Sequence, residues 1–139
     1  MLARRERVRD PRSSRPHQIL VMGPPCSGKS TYVAEHKRPG DVVIDYDALA
    51  VALGSPDSHD HPASLRPVVL AAWTAAIRAA TGRVWLVRGF PEPRDLADAA
   101  EVVRLEVDAD VCKARAADQR PATWPGLIDS WWERYGPTA

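Results

Sequence analysis

The sequence predicts an α/β fold in three layers, with a small parallel sheet of about four strands. Short apolar runs alternate along the chain with segments of helical periodicity, and glycine, proline or aspartate follows most of the runs. Runs of this length are typical of strands buried on both faces, and strands that alternate with helices pair in parallel through right-handed crossovers. The chain has 139 residues, which is one domain's worth.

The predicted elements can be placed in chain order. Strands are expected at residues 18–22, 42–44, 84–87 and 103–107, where apolar or β-branched residues are concentrated. Helices are expected at 30–36, 48–53, 63–81, 94–100, 108–118 and 123–135, and a polar loop at 55–62. Asp47 stands where the N-cap of the second helix would be, and Gly54 ends that helix. Arg104 and Glu106 alternate with apolar residues, so the fourth strand is expected at a sheet edge.

Two of these helices have a clear apolar stripe. In the third helix the stripe contains Leu65, Val69, Trp73, Ala76, Ile77 and Ala80. In the last helix it contains Leu127, Ile128, Trp131, Trp132 and Tyr135. We expect the tryptophans to pack on one face of the sheet, and base stacking is the alternative.

Charge divides the chain into a basic leader, residues 1–16, and a single domain, residues 17–139. The net charge is only +1, but six arginines lie in the first sixteen residues. The leader is expected to be a flexible, solvated tail or an arm that contacts phosphate backbones. It is not followed by an apolar signal-peptide core, no run is long enough to span a membrane, and the two cysteines form no metal or disulfide pattern. These features predict a cytoplasmic protein and leave its oligomeric state open.

One motif carries a specific chemical prediction. The segment Gly23-Pro24-Pro25-Cys26-Ser27-Gly28-Lys29-Ser30, followed by Thr31, fits G-x-x-x-x-G-K-[ST] between a strand and a helix. Its backbone N–H groups are expected to surround the phosphates of ATP, which Lys29 would also contact, and the Ser30 hydroxyl is expected to bind Mg²⁺. The motif therefore predicts a P-loop NTPase or kinase-like fold with ATP and Mg²⁺ as its cofactors. Cys26 is interpreted as a small spacer, because Tyr32 stands where a cysteine phosphatase needs arginine.

The residues after the second and third strands favour phosphoryl transfer over hydrolysis. The third strand ends at Arg88-Gly89 without the carboxylate that a motor ATPase places there. The second strand ends at Asp45-Tyr46-Asp47, at the edge of the sheet where ligands bind. Asp47 is the preferred general base and Asp45 a ligand of Mg²⁺ or substrate, the alternatives being a helix N-cap for Asp47 and a turn residue for Asp45.

Four arginines are further candidates. Arg115 and Arg120 follow the fourth strand and could close over the phosphates as a lid, or lie on a solvated helix face. Arg88 and Arg94 could contact a substrate phosphate or form ordinary surface pairs. The loop sequence Ser58-His59-Asp60-His61 is an incomplete metal site and is expected to be solvated near the substrate entrance.

Residues 18–121 resemble the kinase domain of phage-type polynucleotide kinases and related small P-loop kinases. The resemblance rests on residues 23–31, on Asp45-Tyr46-Asp47, and on residues 107–115 together with Arg120. It implies that Asp47 is the general base, that Arg115 and Arg120 form the lid, and that the acceptor is a nucleic-acid 5′-hydroxyl. Ala50 stands where such kinases often have an arginine.

Three functions stay open at this point. The first is a kinase acting on a polynucleotide. The second is a kinase acting on a nucleotide or other small molecule, because Arg88-Gly89-Phe90-Pro91 is similar to the Asp-Gly-Phe-Pro-Arg stretch of adenylate-kinase-like enzymes. The third is a regulatory module that binds ATP without transferring phosphate.

Overall fold

A computed structural model describes residues 2–7, 16–119 and 123–137 of the chain. The described residues form five strands: β1 (Leu2–Arg7), β2 (His17–Met22), β3 (Val42–Asp45), β4 (Arg83–Val87) and β5 (Glu101–Glu106). They also form α1 (Lys29–His36), α2 (Tyr46–Ala52), α3 (Arg66–Ala79), α4 (Pro93–Asp98), α5 (Ala109–Gln119) and α6 (Trp124–Tyr135). A 3₁₀ turn, Ala63–Leu65, precedes α3, because Pro67 favours the start of an α-helix at this point.

The strands form one mixed sheet in the order β1-β5-β2-β4-β3. Four strands are parallel, as predicted, and β1 pairs antiparallel with β5. The prediction of a wholly parallel sheet of about four strands was therefore wrong in one strand. The α/β class is confirmed.

The extra strand lies within the predicted leader, residues 1–16. Residues 2–7 were expected to lack regular structure, yet they pair along the whole of β5. Arg4 and Arg5 form ion pairs at 2.8 Å with Glu106 and Glu101 of β5. Because β1 pairs with β5, the prediction that the strand at 103–107 lies at an edge was wrong: Glu106 and Glu101 of β5 form ion pairs with arginines of β1. Residues 8–15 lie outside the described residues.

Apolar side chains cover both faces of the sheet, as the alternation along β2 requires. Ile19 and Val21 pack with Tyr32 and Val33 of α1 on one face. Leu20 and Met22 pack on the other face, in a cluster that includes Trp73 of α3 and Trp131 of α6. The helices therefore form one layer on each face. No helix within the described parts of the chain is long and apolar enough to cross a membrane.

Candidate functional site

The glycine-rich loop, residues 23–30, runs from the end of β2 into the first turn of α1, at the carboxyl ends of the parallel strands. Gly28 has a φ of 92°, and Cys26 has a φ of 65°, so the chain turns sharply before the helix begins at Lys29. No described side chain caps the start of α1, and its first turn contains no acidic residue. The N–H groups at this end of the helix are therefore available to an anion, which the helix dipole also favours.

The two glycines at the ends of the loop serve different purposes. A Cβ on Gly23 would lie 2.5 Å from Ser27 Oγ and 3.1 Å from Leu105, so Gly23 is required for the loop to pack against β5. Gly28 is favoured by its left-handed backbone. Ser27 Oγ is buried without a hydrogen-bond partner among the described residues, so a polar atom of the loop is left for a ligand to satisfy.

Lys29 points back into the loop. Its Nζ atom donates hydrogen bonds of 3.0 Å to the carbonyl oxygens of Gly23 and Pro24. The side chain is buried, and burial lowers the pKa of its ammonium group, although the charges of Asp47 and Asp45 oppose this effect. The Nζ atom of Lys29 therefore lies inside the loop, beside the uncapped end of α1.

Asp45 is the N-cap of α2, which corrects the prediction that Asp47 occupies that position. Asp45 Oδ1 accepts a hydrogen bond of 3.1 Å from the N–H of Ala48. Its Oδ2 atom accepts one of 3.4 Å from Ser30 Oγ. Ser30 and Asp45, the two predicted ligands of Mg²⁺, thus lie side by side. Among the described residues no group of three or more His, Cys, Asp or Glu side chains could hold a metal ion.

Asp47 lies in the first turn of α2 and faces two histidines. His61 Nε2 donates to its Oδ1 atom at 2.6 Å, and His59 Nδ1 donates to its Oδ2 atom at 3.2 Å. Burial alone would raise the pKa of the Asp47 carboxyl, but the hydrogen bonds from both histidines and the charge of Lys29 lower it to about 2. Asp47 is therefore an ionised carboxylate, and each of its two oxygens accepts a hydrogen bond from one histidine.

The histidine loop, residues 55–62, was expected to be solvated, and the contact of His59 and His61 with Asp47 was missed. The two histidines lie 12 and 14 residues after Asp47, beyond the whole of α2. A pair of histidines in a polar loop indicates no particular partner. The proximity arises because the chain reverses after α2, and the sequence carries no specific signal for where that reversal places the loop.

The candidate arginines occupy different environments. Arg115 on α5 donates a hydrogen bond of 3.1 Å from Nη1 to the carbonyl oxygen of Cys26, and so it lies over the glycine-rich loop. Arg120 lies outside the described residues. Arg88 is buried, pairs with Asp95 at 2.8 Å and stacks over the ring of Tyr46 at 4.2 Å. Arg94 is largely exposed and pairs with Asp98.

Two cavities meet at Asp47. The loop cavity, of about 930 Å³, is lined by residues 26–32 and also by Asp45 and Arg115. The second cavity, of about 560 Å³, is lined among others by Pro25, Tyr46, His61, Arg66, Arg88, Phe90 and Arg134. Lys29, Asp47 and His59 line both cavities. Arg94 lines neither of them.

Comparison with solved structures gives two chains of similar fold. The first, from a structure described as the Pnkp1/Rnl/Hen1 RNA repair complex, has a TM-score of 0.62 and 12% sequence identity over 90% of this chain. The second, from a structure of the Pnkp1/Rnl/Hen1 complex, has a TM-score of 0.53 and 19% identity over 77% of this chain. These likenesses show a shared fold. The present chain spans less than half of either, 48% and 41% of their lengths.

The amino-acid sequence itself gives no such likeness. No protein-family model matches the chain, and no curated protein matches it in sequence.

Proposed function

We propose that the chain is an ATP-dependent phosphotransferase that moves the γ-phosphoryl group to a hydroxyl of a polynucleotide or nucleotide. The observation that carries this proposal is the position of Lys29 and Asp47 at the junction of the two cavities. A phosphoryl group held at the glycine-rich loop would lie between the donor, in the loop cavity, and an acceptor in the second cavity. In-line transfer needs this arrangement.

The residues around the loop fit a nucleoside triphosphate. The uncapped start of α1 offers N–H groups, Lys29 offers a positive charge, and Arg115 contacts the loop from α5. Ser30 and Asp45 would hold Mg²⁺, which in such sites usually takes one or two protein oxygens and completes its shell with phosphate and water. When bound, the ion neutralises charge on the phosphate oxygens. Arg115, with Arg120 beyond the described residues, would act as the lid.

Asp47 would orient the acceptor. Its carboxylate would accept a hydrogen bond from the attacking hydroxyl and take that proton as the new P–O bond forms and the bond to the β-phosphate oxygen breaks. A pKa of about 2 makes it a weak base. Weak basicity suffices where the transition state is loose, because catalysis then depends mainly on position and electrostatics.

The second cavity supports an acceptor with aromatic and anionic parts. Tyr46 and Phe90 line the cavity, Arg66 reaches it as an ion pair with Glu92, and Arg134 adds positive charge. No described residue forms an ion pair or hydrogen bond with Arg134, which contacts the ring of Tyr135. Such groups suit a base and a phosphate. The occurrence of chains of similar fold in an RNA repair complex agrees with a nucleic-acid acceptor.

A nucleotide or other small molecule is the second candidate acceptor, since about 560 Å³ is a volume typical of small-ligand sites. A transfer screen with γ-labelled ATP tests both candidates. The acceptors are 5′-hydroxyl RNA, 5′-hydroxyl DNA, nucleosides and nucleoside monophosphates, and release of free phosphate is measured in parallel. We expect label on one acceptor class and little free phosphate. Label on no acceptor, with ATP bound, would instead indicate a regulatory module.

A further inference from the structure

The histidine loop has an internal structure that is directed at Asp47. The Ser55 hydroxyl donates its proton to the carbonyl oxygen of Asp57 at 2.9 Å. The same Oγ atom lies 2.7 Å from Nδ1 of His61. The other nitrogen of that ring, Nε2, donates to Asp47 Oδ1 at 2.6 Å. The His61 ring is therefore held between Ser55 and Asp47.

His59 is fixed from the other side by α6. Trp124 Nε1 donates to Asp57 Oδ1 at 2.9 Å, and the same oxygen accepts the N–H of His59 at 2.7 Å. The ring of His59 packs edge-on against the indole of Trp124, with the ring centres 4.4 Å apart. Asp57 and Trp124 therefore determine where the Nδ1 atom of His59 points, and it points at Asp47 Oδ2.

The two histidines engage different oxygens of one carboxylate. A carboxylate that accepts one hydrogen bond can still rotate about its Cβ–Cγ bond, whereas one that accepts a bond at each oxygen is held in a single plane. Each oxygen keeps a second lone pair, and Asp47 still lines both cavities. Lys29 also lines both cavities, and its charge acts on the Asp47 carboxylate.

We propose that His59 and His61 are positioning residues, which together hold the Asp47 carboxylate at the junction of the two cavities, and that Trp124 anchors them from α6. This role rests on the proposed function, because it concerns the reactive carboxylate of that reaction. It does not follow from the phosphate-binding motif, which lies on a different loop. It assigns the histidine loop to the alignment of Asp47 with the acceptor.

The test measures kcat and KM separately, with γ-labelled ATP and a 5′-hydroxyl oligoribonucleotide, for the intact chain and five variants. His61→Phe and His59→Phe keep a ring but remove the donor, and each should lower kcat about tenfold or more because the attacking group is no longer aligned. KM for ATP should stay within about twofold for His61→Phe, since His61 does not line the loop cavity. His61→Gln restores an N–H donor and should recover part of the lost kcat.

His17→Phe is the matched control. His17 also contacts a carboxylate, Glu101, at 3.0 Å, but it lies at the start of β2, the opposite end of the sheet from the glycine-rich loop. Its kcat should equal that of the unmodified chain. Circular dichroism and ATP affinity by calorimetry show whether each variant folds. If His61→Phe does not fold, His61→Gln and Trp124→Phe carry the test, and both should have a kcat between those of the unmodified chain and His59→Phe.

Several results would overturn the proposal. An unchanged kcat in the histidine variants would mean that the rings are only structural. A higher kcat would mean that they block Asp47. A parallel loss of kcat and ATP affinity would mean that the glycine-rich loop itself is disturbed. Absence of transfer by the unmodified chain to every acceptor would refute the proposed function, and with it this role, and is distinguishable from the other three results.

Discussion

Asp47→Asn removes the charge at the centre of the site while it keeps the size of the side chain. Burial raises the pKa of this carboxyl, yet the hydrogen bonds from His59 and His61 and the charge of Lys29 lower it from 3.8 to about 2. One pKa unit corresponds to about 1.4 kcal/mol, so this lowering is equivalent to about 2 kcal/mol of folding free energy. We expect the variant to be less stable by about that amount.

The loss should depend on pH. Because the folded pKa of Asp47 is lowered, its contribution is present above the unfolded value of about 3.9 and is lost as the pH falls towards 2. The hydrogen bond to Asp47 raises the pKa of His61, so the contribution of that histidine is present below about 6.5 and is lost as the pH rises through its folded value. The effect of Asp47→Asn should therefore be largest between about pH 4 and 6.5.

Urea unfolding at pH 5.5 and pH 9 measures both expectations. With a urea slope of about 1–3 kcal/mol per molar, the midpoint should fall by about 1 M at pH 5.5 and by less at pH 9. Asp60→Asn is the control, because Asp60 lies in the same loop and is exposed. An equal loss at both pH values, or no loss at pH 5.5, would refute the assignment of an ion pair between Asp47 and His61.

Three further substitutions test the glycine-rich loop and its surroundings. Lys29→Met keeps the buried volume but removes a charged donor, so calorimetry should find ATP affinity lowered about tenfold or more; unchanged affinity would contradict the role of Lys29. Cys26→Gly removes the strain of a non-glycine residue with a left-handed backbone, so the midpoint of thermal unfolding should not fall. The variant should also keep its transfer activity, and a loss of transfer would mean that the thiol takes part in the reaction. Trp131→Phe leaves the Gly89 carbonyl without its 2.8 Å partner and should cost about 1–3 kcal/mol in thermal unfolding, and an unchanged midpoint would show that the hydrogen bond is unimportant.

The sequence was sufficient for the parts of the fold that depend on local pattern. The four parallel strands follow from apolar runs, and the burial of Ile128 and Trp131 follows from spacing along a helix. The predicted helix starts were displaced by three residues at α3, where Pro67 favours the start, and by one residue at α4, where Glu92 and Asp95 form a capping box. Asp45 and Asp47 both suit an N-cap, and only the backbone geometry decides which one reaches the N–H of Ala48.

Two features depend on contacts between distant residues and could not be predicted. β1 consists mainly of charged residues, so it lacks the apolar run by which a buried strand is recognised. Its partner β5 lies about a hundred residues later, and ion pairs such as Arg4–Glu106 join the two strands. The placement of His59 and His61 on Asp47 depends on the reversal after α2 and on Trp124 in the last helix. In both cases the tertiary structure brings together residues that no local sequence pattern relates.

A single-turnover transfer measurement tests the central claim most directly. The unmodified chain, Asp47→Asn and Asp60→Asn are each saturated with γ-labelled ATP and mixed with a 5′-hydroxyl oligoribonucleotide, after calorimetry has verified equal ATP affinity. We predict that label appears on the oligonucleotide with the unmodified chain and Asp60→Asn, and about a hundredfold more slowly or not at all with Asp47→Asn. Equal rates for all three chains would contradict the claim that Asp47 lies between donor and acceptor.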